Sequence, residues 1–292
     1  MVAIMIIGAG NIGSRHLQAL ARVPQPLAIT VIDPSPESLK IAQKRFEEIP
    51  QAAPHHIQYQ AAIPEAAGAI DIAIIATTSS HRRAALESLP AIHPVRFMIL
   101  EKILFDRVED YDEVPVLIAR KGIAAWVNCP MRMMPVYRDL RQQFAHKPIR
   151  YSVRGDFGLM TIAVHYLDHA AFLTGNTDFT VDISGLDPTP VPAKRTGYWE
   201  RTGTLTAKGA DGSVVEITSR PGIGAAVMTL SSDTFQATLE EQKLSLPLQS
   251  EMTTDVVTEL LTQGTCQLTP LADSIKIHQA LLAPFQEPYL FT

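Results

Sequence analysis

The sequence predicts an α/β chain: a doubly wound parallel sheet first, then an α+β domain with a mainly antiparallel sheet. Three observations predict it. Over residues 1–127 short apolar runs alternate with helical patterns, as parallel strands joined by crossover helices require. Beyond about residue 180 the pattern turns to short strands separated by turn signals such as Ala210-Asp211-Gly212, the spacing of antiparallel hairpins. The length of 292 residues also exceeds what one core usually holds. The expected domains are 1–124 and 125–292.

Residues 2–7 read as a buried strand and 11–22 as a helix with Ile12, His16, Ala19 and Leu20 near one face. Strands follow at 27–32, 57–60, 71–76, 95–100 and 123–127. Helices are expected at 35–48, after the turn signal Asp33-Pro34-Ser35-Pro36, and at 79–89 and 108–121, where Gly122 stops the last one. In the second domain helical patterns cover 135–144 and 161–173. Strands are expected at 203–207, 213–218, 225–230 and 234–239, and helices at 253–261 and 270–282.

Composition excludes several classes of function. The net charge of −5 supplies no general basic face for nucleic acid or anionic membranes. No stretch reaches the roughly 18 apolar residues of a membrane span. The N-terminal run lacks the flanks of a signal peptide. Cys129 and Cys266 lie far apart, with no metal or C-x-x-C spacing, which fits a reducing cytoplasm.

The strongest motif is Gly8-Ala9-Gly10-Asn11-Ile12-Gly13. It follows a strand and opens a helix, the context that gives G-x-G-x-x-G its meaning. The first glycine permits a tight turn, the second a close approach of pyrophosphate, the third close packing of helix on strand. Asp33 stands at the end of the second strand. A carboxylate there accepts bonds from an adenosine ribose and repels a 2′-phosphate, favouring NAD, with NADP left open by Ser35. At the end of the fifth strand stands Glu101-Lys102, which reads either as a solvated charge pair or as a lysine reaching the nicotinamide end of the dinucleotide.

At this point the chain resembles the glucose-fructose oxidoreductase/inositol dehydrogenase (Gfo/Idh/MocA) family over most of its length, most strongly over residues 2–175. His16 follows the glycines as it often does in the family. The fourth strand runs into Thr77-Thr78-Ser79-Ser80-His81, and the fifth ends Glu101-Lys102-Ile103, where the family has Glu-Lys-Pro. Asn128-Cys129-Pro130-Met131-Arg132 stands where the family has Asn-x-Arg or a close variant. The resemblance implies a Rossmann domain holding NAD through Gly8, Gly10, Asn11, Ile12, Gly13, Asp33, Thr77, Thr78, His81 and Glu101. It implies hydride transfer at a carbinol carbon, usually of a sugar or cyclitol, with Lys102 on the reacting hydroxyl and His165 as proton relay. Asp168 matches a further acidic position. Where the family has an aspartate, four residues before the histidine, this chain has Thr161, which holds no charge at neutral pH.

Asn128, Arg132, Thr161, Tyr166 and Asp168 complete the expected substrate contacts. Arg132 would clamp an anionic group through its planar fork. His165, Asp168 and His169 have a spacing that could hold a metal, but no further ligand is near, and no metal is expected. His169 is expected to be structural, and Arg82 and Arg83 solvated. The partners expected are a small-molecule substrate and a second copy of the chain, in a homodimer or homotetramer formed through the C-terminal sheet. An exposed apolar face on that sheet would support the assembly. Two alternatives remain: a non-sugar reductase resembling biliverdin reductase, and a dinucleotide-binding sensor or partner protein without catalysis.

Overall fold

The alternating first part of the chain supplies six strands of a seven-stranded sheet, and Thr269–Pro270 supplies the seventh. A computed structural model describes residues 1–65, 68–144, 147–286, 288, 289 and 291, with side chains at all of these except 249 and 250. In chain order the elements are β1 (Val2–Ile7), α1 (Asn11–Leu20), β2 (Leu27–Ile32), α2 (Pro36–Glu47), β3 (His56–Gln60), β4 (Ile70–Ile75), α3 (Ser79–Ile92), β5 (Val95–Leu100), α4 (Asp110–Arg120) and β6 (Ala124–Val127). A 3-10 turn (Pro130–Met133) leads into α5 (Pro135–Arg138), α6 (Arg141–Phe144), β7 (Arg150–Gly155), α7 (Leu159–Thr174), β8 (Phe179–Asp182), β9 (Val191–Pro192) and β10 (Trp199–Glu200). Then come β11 (Gly203–Gly209), β12 (Val214–Ser219), β13 (Val227–Ser231), β14 (Gln236–Glu240), α8 (Gln249–Gln263), β15 (Thr269–Pro270) and α9 (Leu271–Leu282).

The large sheet runs β15-β6-β5-β4-β1-β2-β3. Its pairs are parallel except the short β15–β6 edge. Strand order reverses between β1 and β4, the switch point beyond which open α/β sheets bind their ligands. Ile4, Met5 and Ile6 of β1, Ile72 to Ile75 of β4 and Met98 to Leu100 of β5 are buried without alternation, because both faces of a parallel sheet are covered.

The chain forms two compact units: residues 1–105, 109–128 and 247–271 in the first, and 106–108, 129–246 and 272–292 in the second. Against the expected domains of 1–124 and 125–292, residues 247–271 return to the first unit. There α8 packs on α1, and the Thr254 hydroxyl donates to the Ala19 carbonyl at 2.8 Å. A helical pattern reveals a buried face but not its neighbour, so the return left no mark in the sequence. Ile12, expected on the buried face of α1, is 40 % exposed; it lies in the first turn, on the open side of the loop.

The second unit is built on a six-stranded sheet, β14-β13-β7-β12-β11-β8. All its pairs are antiparallel except β12–β7. The sequence reading left out β7: its outward residues Arg150, Ser152 and Arg154 dilute the apolar signal of Tyr151 and Val153, which are buried. One sheet face carries Tyr151, Val153, Leu205, Ala207, Val215, Ile217, Met228 and Leu230, all buried. The other face is polar, with Ser152, Arg154, Thr204, Thr206, Glu216, Thr218 and Thr229 in register; Val214 and Val227 are its apolar members. The apolar face expected to support oligomerisation is therefore mostly hydroxyl and charge. Among the described residues, no helix is long and apolar enough to cross a membrane.

Gly13 sets the packing of α1 on β1, since a Cβ there would land on the carbonyl oxygen of Gly8. Gly13→Ala is expected to lower stability by about 3 kcal/mol, a fall of roughly 6–12 °C in Tm. An unchanged Tm would refute the packing argument.

Candidate active site

The first unit gathers the expected cofactor residues along one edge. Because β1, β2, β4 and β5 are parallel, the segments after their carboxyl ends share that edge. Gly10, Asn11 and Ile12 are exposed there, and Asp33, Thr77, Thr78 and Lys102 are half-buried. Gly8, at φ 95°, permits the turn. A Cβ on it would meet the Ala76 carbonyl and the Thr77 amide at 2.8–2.9 Å, so the loop seats directly on the end of β4.

Gly10 differs from the other two glycines. A Cβ built on it meets nothing within 4 Å. It is also the N-cap of α1, which has no capping side chain and no acidic residue in its first turn. By contrast α2 is capped by Ser35 and carries Glu37. The first amides of α1 are thus open to an anion beside backbone that comes close for lack of a side chain, and this fits a pyrophosphate. Asp33 braces the loop: Oδ2 accepts from the Ala9 amide at 2.7 Å and Oδ1 from the Ser35 amide at 2.8 Å. A carboxylate has further lone pairs for ribose hydroxyls. Arg45, which the sequence reading did not single out, donates to the Ser14 hydroxyl at 2.6 Å and to Asn11 Oδ1 at 3.0 Å, holding the first turn of α1. His81 is exposed, with Nδ1 2.9 Å from the Thr78 hydroxyl.

Glu101 and Asn128 lie deeper. Both are buried, at 7 % and 4 % exposure, behind the open edge. The Asn128 amide donates to Glu101 Oε1, which also lies 2.9 Å from His16 Nε2. His16 Nδ1 is 2.7 Å from the Thr253 hydroxyl of α8. Glu101 therefore ties α1, β6 and the returning helix together behind Lys102 rather than lining the open edge. Burial pushes its carboxyl up, but the hydrogen bond and charge of His16, the Asn128 bond and the Lys102 charge hold it down at about 2.

The Lys102–Ile103 peptide is cis although isoleucine stands where the family has proline. The backbone beside it is gripped by Arg82. Expected to be solvated, Arg82 is 1 % exposed and donates to the carbonyls of Thr77, Ile103 and Leu104, the last at 2.8 Å. Its neighbour Arg83 pairs with Glu87 at 2.9 Å and Glu113 at 2.6 Å. Two adjacent arginines look alike in sequence, and only the fold separates the buried clamp from the surface one.

In the second unit α7 carries the remaining residues. His165 and Thr161 are half-buried. Asp168 is buried and grips Arg132 through both its oxygens, at 2.8 and 3.1 Å. The expected anion clamp is thus held by the chain's own carboxylate, and the pair fastens the 130–133 turn to α7. Tyr166 is buried against Phe157 and Tyr151, and burial raises its hydroxyl pKa well above the ordinary value. His169 is buried between the Tyr151 hydroxyl at 3.0 Å and the Tyr137 carbonyl at 3.2 Å. Burial lowers its pKa to about 4. Glu200, which sequence reasoning missed, accepts from the amides of Met160 and Thr161 at 2.7 and 3.2 Å and from the Thr161 hydroxyl.

Residues 2–129 match the family model GFO_IDH_MocA, described as an oxidoreductase family with an NAD-binding Rossmann fold. No curated protein matches the chain. Among solved structures it resembles an oxidoreductase from Agrobacterium radiobacter in complex with NAD+, L-tartaric acid and magnesium, at 18 % identity and TM-score 0.70, covering 96 % of this chain and 94 % of that one. It resembles the WlbA dehydrogenase from Bordetella pertussis in complex with NADH and UDP-GlcNAcA, at 14 % identity and TM-score 0.72, covering 97 % and 95 %. It also resembles UDP-N-acetylglucosamine 3-dehydrogenase GnnA from Acidithiobacillus ferrooxidans, at 15 % identity and TM-score 0.71, covering 97 % and 96 %. At these identities the likeness is one of fold.

Two outcomes follow from this geometry. Gly10→Ala is expected to fold with unchanged Tm yet bind NADH roughly tenfold more weakly or worse, as read by NADH fluorescence; unchanged affinity would contradict the cradle. Glu101 is held below its ordinary value of 4.5. Its contribution is therefore full above about pH 4.5 and disappears as pH falls toward about 2, amounting to about 3 kcal/mol. Urea unfolding across that window should show the loss in wild type and a much flatter profile in Glu101→Gln; parallel profiles would refute it.

Proposed function

We propose, from the match of residues 2–129 to the GFO_IDH_MocA model of NAD-binding oxidoreductases, that the chain is a dehydrogenase acting on a CH–OH carbon of a sugar, sugar acid or nucleotide-linked sugar. The observation that carries this reading is Lys102. It stands at the carboxyl end of β5, on the edge shared with the glycine loop, with Glu101 locked behind it and Arg82 fixing the backbone beyond it. Nucleotide-linked sugars enter because similarly folded proteins include one crystallised with UDP-GlcNAcA and one named as a UDP-N-acetylglucosamine 3-dehydrogenase.

The cofactor would be held by the glycine loop, the first amides of α1 and Asp33, with Thr77, Thr78 and His81 along the same edge. When bound, its nicotinamide supplies the hydride acceptor or donor. The protein's own work is to orient and to move a proton. The Lys102 ammonium donates to the reacting oxygen and stabilises negative charge there as the O–H bond weakens. His165 takes the hydroxyl proton in oxidation and returns it in reduction, a task suited to imidazole near neutral pH. Buried Glu101 keeps a negative charge next in sequence to Lys102. Asp168 and Arg132 hold α7 and the 130–133 turn in place.

The test is a screen of sugars, sugar acids and nucleotide sugars with NAD+, read by NADH absorbance. Lys102→Ala is expected to lower kcat by about 10²- to 10⁴-fold while NADH affinity changes little. Full turnover in Lys102→Ala would overturn the role of Lys102, and absence of NADH binding would overturn the reading as a whole.

A further inference from the structure

Helix α7 is buried almost all round, and its only residues outside the core are Thr161, Ile162, His165 and Phe172. Thr161 and His165 are spaced i, i+4, so they lie one above the other on that open stripe. The amino end of the helix is capped in an unusual way. Gly158 at the N-cap has no side chain to offer, and the carboxylate of Glu200, from the β9–β10 ribbon, fills the place: a Cβ on Gly158 would strike Glu200 Oε1.

Capping explains only part of this arrangement. Glu200 accepts from the amides of Met160 and Thr161, which caps the helix. It also takes the hydroxyl of Thr161, a bond that capping does not need and that brings the carboxylate onto the stripe of His165. Among the described residues, other charged groups also stand against α7 in this unit. Arg132 pairs with Asp168, Arg141 stacks over Phe172, and Glu241 acts on Tyr137 and Tyr166. His169 is held between Tyr151 and Tyr137, and β12 turns Val215 and Ile217 inward.

We propose that Glu200, acting through Thr161, is the positioning residue that steadies the imidazolium of His165 during proton transfer. The inference rests on the reading of His165 as proton relay. In oxidation the substrate O–H bond breaks and its proton forms a new N–H bond on His165, while the hydride leaves the carbon for the cofactor and a carbonyl results. The imidazole gains a positive charge in that step. A buried carboxylate one turn away favours the charged form and gives α7 the negative group that Thr161 does not itself carry.

The test is an NMR titration of the His165 ring in the full chain, assigned with His165→Asn, followed by turnover. Glu200→Gln keeps an acceptor for one of the two amides and removes the charge. It should make the imidazolium roughly tenfold less favoured, about one pH unit in the titration midpoint. Thr161→Val should move it the same way by less, and Glu200→Gln with Thr161→Asp should return it toward wild type and recover kcat. A midpoint equal in wild type, Glu200→Gln and Thr161→Val, with only Tm altered, would reduce Glu200 to a helix cap and overturn the proposal. Should Glu200→Gln not fold, Thr161→Val decides alone. A midpoint that moves as expected in a protein that oxidises no sugar would leave the coupling standing and overturn the proposed reaction instead.

Discussion

Everything at the cofactor edge depends on one close approach, that of Gly13 to the carbonyl of Gly8. With any side chain at 13, α1 would be pushed off the end of β1. The first amides of α1 would then no longer stand beside the open backbone of Gly10. The glycines are not interchangeable. Two of them let backbone meet backbone, while the third leaves room for something the chain does not itself supply. That division matches the division of roles expected of a dinucleotide loop.

A second constraint stands behind the first. Glu101 is a buried charge, and such a group is tolerated only when its lone pairs are taken up. His16 and Asn128 do this, and Thr253 orients His16 in turn. The network explains why α8 returns to the first unit: without Thr253 and Thr254 on α1, one side of the His16 ring would face an unmatched surface.

Much of this was legible in the sequence, and for a physical reason. Strands buried on both faces leave unbroken apolar runs, so β1, β2, β4 and β5 could be placed to within a residue. The glycine loop is local in sequence and carries its geometry with it, and Asp33 follows from its place at the end of an unbroken apolar strand. What escaped notice is long-range. Arg82 looks like Arg83 until the fold buries one of them. Glu200 lies in a short ribbon with no periodicity to mark it. Arg132 and Asp168 both match substrate contacts by sequence, and the fold sets them against each other. The threonine at 161 raised the question of where a charge is to come from, and the answer sits on another element.

The proposed reaction, hydride transfer at a sugar carbon beside Lys102, carries label from substrate to cofactor. The most direct measurement uses sugars and nucleotide sugars deuterated at the carbinol carbon, incubated with NAD+, followed by analysis of the nicotinamide C4 position. Deuterium is expected on one face of C4, in amounts equal to the carbonyl product formed. NADH that binds tightly while no labelled substrate delivers deuterium to it would contradict the account.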